Sequence, residues 1–236
     1  MLRKITLCIF LILGIKGAYA QFKEPLENLE HFDEKPFQWG YYFGANGFDF
    51  KIDYKDLNYQ TSRLREIQID RNLGFNVGLT GSARLIDFID LRIEPGLVYN
   101  KRVLVFPGFN NENDAKREVQ STYIYIPLLF KFSAKRWYNV KPYITAGGSM
   151  VFNLSSNANL NIDNSEKTFR ATRNVFFYEF GLGLDLYTPY FRMSPSLRML
   201  FSLNNELTPD RDPNSPWTSN VNKIQTRGFL INLNFE

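Results

Sequence analysis

Residues 223–236 read Lys-Ile-Gln-Thr-Arg-Gly-Phe-Leu-Ile-Asn-Leu-Asn-Phe-Glu, and from Phe229 the apolar residues fall on every second position: Phe229, Ile231, Leu233, Phe235. Gly228, Leu230, Asn232 and Asn234 stand between them, a smaller and mostly polar set. Alternation of period two gives a strand with one apolar face and one wet face. An alternating strand this late in the sequence needs an earlier partner, and pairing with the first strand closes a barrel and removes both exposed sheet edges.

The rest of the sequence supplies the strands that such a barrel requires. The first sets Phe37, Trp39, Tyr41 and Phe43 against Gln38, Gly40, Tyr42, Gly44 and Asn46; near Gly47 the apolar set moves to Phe48, Phe50 and Ile52, which predicts a bulge or the membrane border. Six further alternating segments follow, over residues 72–85, 89–100, 121–132, 140–154, 176–187 and 191–203. Pro95 lies within the third strand and removes one ladder donor, so a local bulge is expected there. With the closing strand the count is eight. Residues 53–71, 105–118, 153–173 and 204–222 form long polar connections, while turns near residues 85–88, 135–139 and 188–190 are short. Long loops on one side and tight turns on the other are the pattern of an outer-membrane barrel, and each apolar face covers the roughly 9 to 11 residues a tilted strand needs to cross a bilayer. The expectation is an all-β, eight-stranded, antiparallel up-and-down transmembrane barrel over residues 37–236 with a filled polar interior.

A soluble, lipocalin-like barrel would turn its apolar face inward. Here that face carries Phe, Tyr, Leu and Ile almost without relief, and the opposite face carries Arg, Glu, Asp, Asn and Gly. An eight-stranded interior is narrow, so lipid outside and charge inside fits better. Trp39, Trp137, Tyr138, Tyr187, Tyr190 and Phe235 fall at the short-turn end and are expected to form one aromatic girdle at the membrane interface.

The first 20 residues carry Arg3 and Lys4, an apolar run and Ala18-Tyr19-Ala20, the pattern of a secretory signal peptide cleaved after Ala20. Residues 21–36 then form an N-terminal arm, expected in the periplasm with the long loops extracellular. The one cysteine, Cys8, lies inside the leader, so the mature chain offers no thiol. Removing Arg3, Lys4 and Lys16 from 28 basic residues leaves 25 against 24 acidic ones, a formal +1, which gives nucleic acid no electrostatic footprint. The mean hydropathy of −0.29 is ordinary for a membrane barrel, because its strands alternate.

The inward charges are Arg84, Asp90, Arg92, Glu94, Lys131, Glu179, Asp185, Arg192 and Arg198. Glu94, Glu179 and Asp185 could be an acid/base cluster, but both signs occur in similar numbers, and buried charges require partners. A lumen filled by ion pairs is the expectation, with no catalytic residue and no small-molecule substrate. His31, the one histidine, sits in the arm, so the barrel has no histidine base and no His or Cys metal ligands. Asp210, Asp212 and Asn214 have a Ca²⁺-compatible spacing, but Pro213 and the lack of an acidic closing residue make them an ordinary turn. No cofactor is expected.

Several stretches resemble the PorT family, also called SprT in gliding bacteria. They are the opening Asn28-Leu29-x-x-Phe32-Asp33-x-Lys35-Pro36-Phe37-x-x-Gly40 with Gly44-Ala45-Asn46, the segment Tyr125-Ile126-Pro127-Leu128-Leu129-Phe130-Lys131, Lys141-Pro142-Tyr143, and the ending from Pro213 through Thr226-Arg227 to Phe235-Glu236. The Ile-Pro-Leu and Lys-Pro-Tyr pieces recur in many small barrels; the opening and ending are more distinctive. The resemblance implies a non-enzymatic outer-membrane part of type IX secretion, which exports proteins with C-terminal sorting domains and is linked to gliding motility. It implies other secretion components as protein partners, beside outer-membrane lipid. The alternative is a small adhesin or ligand-binding barrel that works through its outer loops, and an outer-membrane hydrolase would have to rely on a carboxylate pair alone.

Overall fold

The computed structural model describes residues 27–56, 66–158, 164–166 and 168–236. The leader, residues 1–20, and the first part of the arm, 21–26, lie outside them, as do residues 57–65 of the first long connection. The strands are β1 (Phe37–Tyr54), β2 (Gln68–Arg71), β3 (Leu73–Ile86), β4 (Ile89–Ile93), β5 (Gly96–Val105), β6 (Lys116–Ser133), β7 (Val140–Asn153), β8 (Asn174–Tyr187), β9 (Arg192–Ser202) and β10 (Val221–Phe235). A one-turn helix α1 (Glu112–Ala115) precedes β6.

All pairings are antiparallel, and β1 pairs with β10 on one edge (Gly44↔Asn232) and with β3 on the other (Gly44↔Asn76), which closes the ring. β4 and β5 share the neighbours β3 and β6 and act as one strand interrupted at Glu94–Pro95. The ring is therefore eight-stranded. The interruption at Pro95 replaces the expected bulge. Its carbonyl still accepts from Leu79 N at 2.9 Å, and the Glu94 carbonyl accepts from the Tyr42 hydroxyl at 3.2 Å.

The expected phase slip at Gly47 does not occur. Register between β1 and β10 is unbroken from Tyr41↔Phe235 to Asp53↔Lys223, and the even-numbered residues face inward throughout. Phe48 and Phe50 follow Tyr42 and Asn46 into the barrel, so it is the interior that changes character, from polar to apolar. Two inner apolar clusters result. One gathers Phe48, Val98, Tyr123, Val151, Phe177 and Leu230 across the lumen. The other gathers Phe50, Leu104, Phe106, Val119, Leu207 and Ile224 on the long-loop side, with Trp217 packed against it. This second core lets the strands run beyond the membrane segment as a folded crown: β5 reaches Val105 and β6 begins at Lys116, where polar loop was expected.

The outer wall is apolar around the ring, from Trp39 (85% exposed) and Leu73 (77%) to Leu182 (61%) and Ile231 (51%). Surface of that kind is stable only in lipid. On the inner side, Gly183 shows how narrow the lumen is. A Cβ there would meet the Tyr143 ring at 2.4 Å, and that ring in turn lies 4.2 Å from the Lys131 ammonium.

Within the crown, Glu206 is buried and accepts from Thr226 N (2.6 Å) and Thr226 Oγ1 (2.8 Å) at the root of β10. Burial pushes its carboxyl above the ordinary range, against the lowering pull of Arg102 and the Thr226 hydrogen bonds. A raised value means that the folded crown favours the protonated form. That contribution to stability is complete below the ordinary carboxylate range and is lost as pH climbs past the raised value. Amide-exchange protection of residues 203–220 is therefore expected to rise as pH falls from about 8 to about 5, and Glu206→Gln is expected to flatten that slope.

Candidate functional site

At the short-turn end the polar half of the lumen holds a continuous set of ion pairs. Alternation aims each partner inward: Arg92 comes from β4 and Glu94 from the strand break that follows it, Lys131 from β6, Glu179 and Asp185 from β8, and Arg192 and Arg198 from β9. All seven are at most 2% exposed. Arg198 lies between two carboxylates, with Nη2 2.5 Å from Glu94 and Nη1 3.5 Å from Glu179. Arg92 reaches Glu94 at 3.4 Å and Glu236 at 2.8 Å. Lys131 donates to Asp185 at 2.5 Å, and Asp185 also accepts from Ser194 Oγ at 2.6 Å and faces Arg192 at 3.8 Å. Arg192 pairs with Glu236 as well. Tyr125 donates its hydroxyl to Glu179 at 2.5 Å.

Arg92, Lys131, Arg192 and Arg198 thus balance Glu94, Glu179, Asp185 and Glu236. Above them Asn46, Asn76, Asn100 and Asn232 form an amide layer, with Asn100 Nδ2 donating to Asn46 at 3.0 Å and the Asn76 and Asn232 amides meeting at 2.5 Å. The first apolar cluster adjoins that layer, Phe48 and Val98 being the inward neighbours of Asn46 and Asn100 on their strands.

Two of the nine charges expected in the lumen lie elsewhere. Arg84 and Asp90 are half-buried at the short-turn rim, where Arg84 pairs with the exposed Asp87 at 2.6 Å and donates to the Asp33 carbonyl. At the end of a strand, inward alternation no longer means enclosure. Glu236 is the member that sequence reasoning missed. It follows the last outward residue, Phe235, so its inward direction was there to be read from the alternation.

The aromatic set also divides. Trp39 is exposed on the outer wall, Trp137, Tyr138 and Tyr190 are exposed in the short turns, and Phe235 stacks at 5.6 Å on both Tyr41 and Phe43. Tyr187 is not part of the girdle. It is 3% exposed and points inward, its parity on β8 matching Asp185, and its hydroxyl donates to Asp33 at 2.7 Å.

That bond belongs to a latch. Residues 27–36 fold onto the short-turn end, with a single 3₁₀ turn at Phe32–Glu34. Asp33 accepts from Tyr187 and faces Lys141 (3.4 Å) and Arg192 (3.5 Å). The Phe32 ring sits 4.8 Å from the Arg192 guanidinium, and the Phe32 carbonyl accepts from Gln38 at 3.0 Å. Asn28 donates to Asn139 Oδ1 (2.8 Å) and to the Tyr187 carbonyl (3.0 Å), while Arg136 holds the Asn28 and Leu29 carbonyls and stacks 3.8 Å over Tyr187. His31 stays outside this contact, exposed beside Glu34.

Chemically, every carboxylate of the lumen set is engaged by a cation or hydroxyl and enclosed from solvent, an arrangement that closes the barrel. Asp210 is consumed in the crown by Asn164 (2.9 Å), Ser215 (2.5 Å) and Thr218 (3.0 Å), and Asp212 accepts from Asn214 N at 2.9 Å. Among the described residues no three His, Cys, Asp or Glu side chains are grouped to hold a metal ion.

Residues 19–208 match the family model described as outer membrane protein beta-barrel domain, and the chain belongs to that family. It is an outer-membrane barrel. No curated protein matches its sequence. Among solved structures it is similar to the outer membrane protein OprG of Pseudomonas aeruginosa (TM-score 0.47, 13% identity, covering 83% of this chain and 94% of that one). Neisserial surface protein A (0.41, 13%, 85% and 98%) is another. A third is Ail, the attachment invasion locus protein of Yersinia pestis, solved with the heparin analogue sucrose octasulfate (0.40, 10%, 85% and 99%).

Arg198→Ala leaves Glu94 and Glu179 without their shared cation. Removing one partner of a buried pair costs about 3–5 kcal/mol. The temperature at which the folded, fast-migrating band is lost in heat-modifiability gels is expected to fall, and an unchanged transition would show that the pairs carry no stability.

Proposed function

We propose that this barrel is a non-enzymatic component of type IX protein secretion, a membrane-embedded scaffold or assembly factor for the export of proteins with C-terminal sorting domains, linked to gliding motility. One observation carries the reading. The start of the opening and the last two residues of the ending, parts of the PorT resemblance far apart in sequence, meet at one place in space, while Pro213 and Thr226-Arg227 of the ending lie at the crown end. Asn28, Phe32 and Asp33 of the opening build the latch, and Arg192 joins Asp33 to Glu236 of the ending. Gly40 of the opening lies so close to the end of β10 that a Cβ there would overlap the Phe235 carbonyl. Residues shared with a family for this reason have a structural job in common.

A filled lumen supports a scaffold over a conduit, since cargo has no path through ion pairs at 2.5–3.5 Å. In this reading the latched end faces the periplasm and presents a fixed surface to other secretion components, and the crown faces outward. The folded crown, with Phe109 stacked on Trp217 at 5.2 Å, favours one second reading, an adhesin that uses a rigid outer surface.

The test compares the secretome of a deletion strain with that of its parent, and of a strain carrying Asp33→Ala. Deletion is expected to retain proteins with C-terminal sorting domains in the periplasm, with a partial defect for Asp33→Ala. An unchanged secretome in the deletion strain would refute the secretion role. Loss of surface attachment on trimming residues 107–110 would then support the adhesin.

A further inference from the structure

On the outer wall the β1–β3 ladder stops at Gly47↔Leu73, while β1 continues to Tyr54 with β10 on its other edge. β2, the next segment up, pairs with β5. Above Gly47 the wall between β1 and β2 therefore has no ladder, and a cavity of about 310 Å³ opens along this seam. Its lower part is apolar, formed by Leu73, Met199 and the Phe229 ring, which lies over Gly47. Its upper rim is charged. Asp49 bridges Arg71 Nε (3.2 Å) and Arg227 Nη2 (2.9 Å), and the two guanidinium side chains remain 64% and 51% exposed while Asp49 is 13% exposed. Lys51, one outward position further along β1, is exposed as well. Arg71, Arg227 and Lys51 surround Asp49 at this rim, and Asp53 and Glu66 line the seam further up.

The height of this arrangement is informative. On β10 the outward face passes from Phe229 to Arg227, and on β1 from Gly47 to Asp49 and Lys51, so the seam straddles the border between lipid and the polar crown. Asp49 takes Arg71 Nε and the Nε and Nη2 of Arg227 and so holds the two guanidiniums side by side; their exposed remaining donors suit a phosphate, and the apolar trough beneath accepts an acyl chain. We propose that this seam is a binding site for a phosphate-bearing acylated lipid, the phosphate on Arg71 and Arg227 and a chain along the trough lined by Leu73, Met199 and the Phe229 ring. Under the orientation proposed above, that lipid belongs to the outer leaflet.

The test titrates the purified full barrel with bisphosphorylated lipid A and with its dephosphorylated form, read by native mass spectrometry. The phosphorylated lipid is expected to bind, and Arg71→Gln with Arg227→Gln to weaken it by about tenfold or more, as loss of charge-assisted hydrogen bonds implies. The dephosphorylated lipid is expected to bind wild type as weakly as the double variant binds lipid A. Equal binding of both lipids, or equal binding by wild type and double variant, would overturn the site. Both residues are surface-exposed, and heat-modifiable migration checks folding; Arg71→Gln alone serves if the double variant fails that check. Orientation is tested apart from the site, by labelling Asn214→Cys on whole cells with a membrane-impermeant maleimide. Labelling of intact cells supports the outer leaflet, and labelling only after permeabilisation overturns that assignment while the lipid titration still decides the site.

Discussion

An eight-stranded barrel leaves an interior about as wide as the side chains that fill it, so a charge placed inside must find its counter-charge there. Arg198 meets that constraint by serving Glu94 and Glu179 together, and Arg92 and Arg192 meet it by sharing Glu236. Apart from Arg92–Glu94 the pairs join different strands, and Arg198 of β9 reaches Glu94 at the break between β4 and β5, which ties the ring across the lumen. Everything else follows its outline. The amide layer seals it on one side, the latch on the other, and the apolar clusters occupy the part of the lumen that it leaves.

The fold was legible because lipid and lumen impose opposite demands on alternate residues. Phe229, Ile231, Leu233 and Phe235 could face only lipid once Asn232 and Asn234 faced the lumen. That contrast disappears where the interior becomes apolar, which is why Phe48 and Phe50 read as a slip in phase while the strand runs straight through. Tyr187 was misplaced for a related reason: an aromatic near a short turn suits the membrane interface, and here a carboxylate from the arm gives it a partner inside. Arg84 and Asp90 have inward parity but sit at the rim, and parity carries no information about depth. The latch was the least legible part. Residues 28–36 show no periodicity, and several of their contacts lie more than 100 positions away, at Asn139 and Tyr187.

The barrel has three zones stacked along its axis: the latched charge network, the membrane-embedded wall with its amide and apolar layers, and a crown with its own core. The wall is common to the outer-membrane family to which the chain belongs. The latch joins residues 28–36 to Tyr187 and Arg192 and, through Arg192, to Glu236.

Conductance in a planar lipid bilayer tests the filled lumen most directly. A barrel plugged by neutralising ion pairs and closed by its arm is expected to insert without producing current steps, both in the full chain and after removal of residues 21–36. Steady ohmic conductance from the full-length, correctly folded protein would contradict the account, because an open water path cannot coexist with the pairings of Arg198, Lys131 and Arg92.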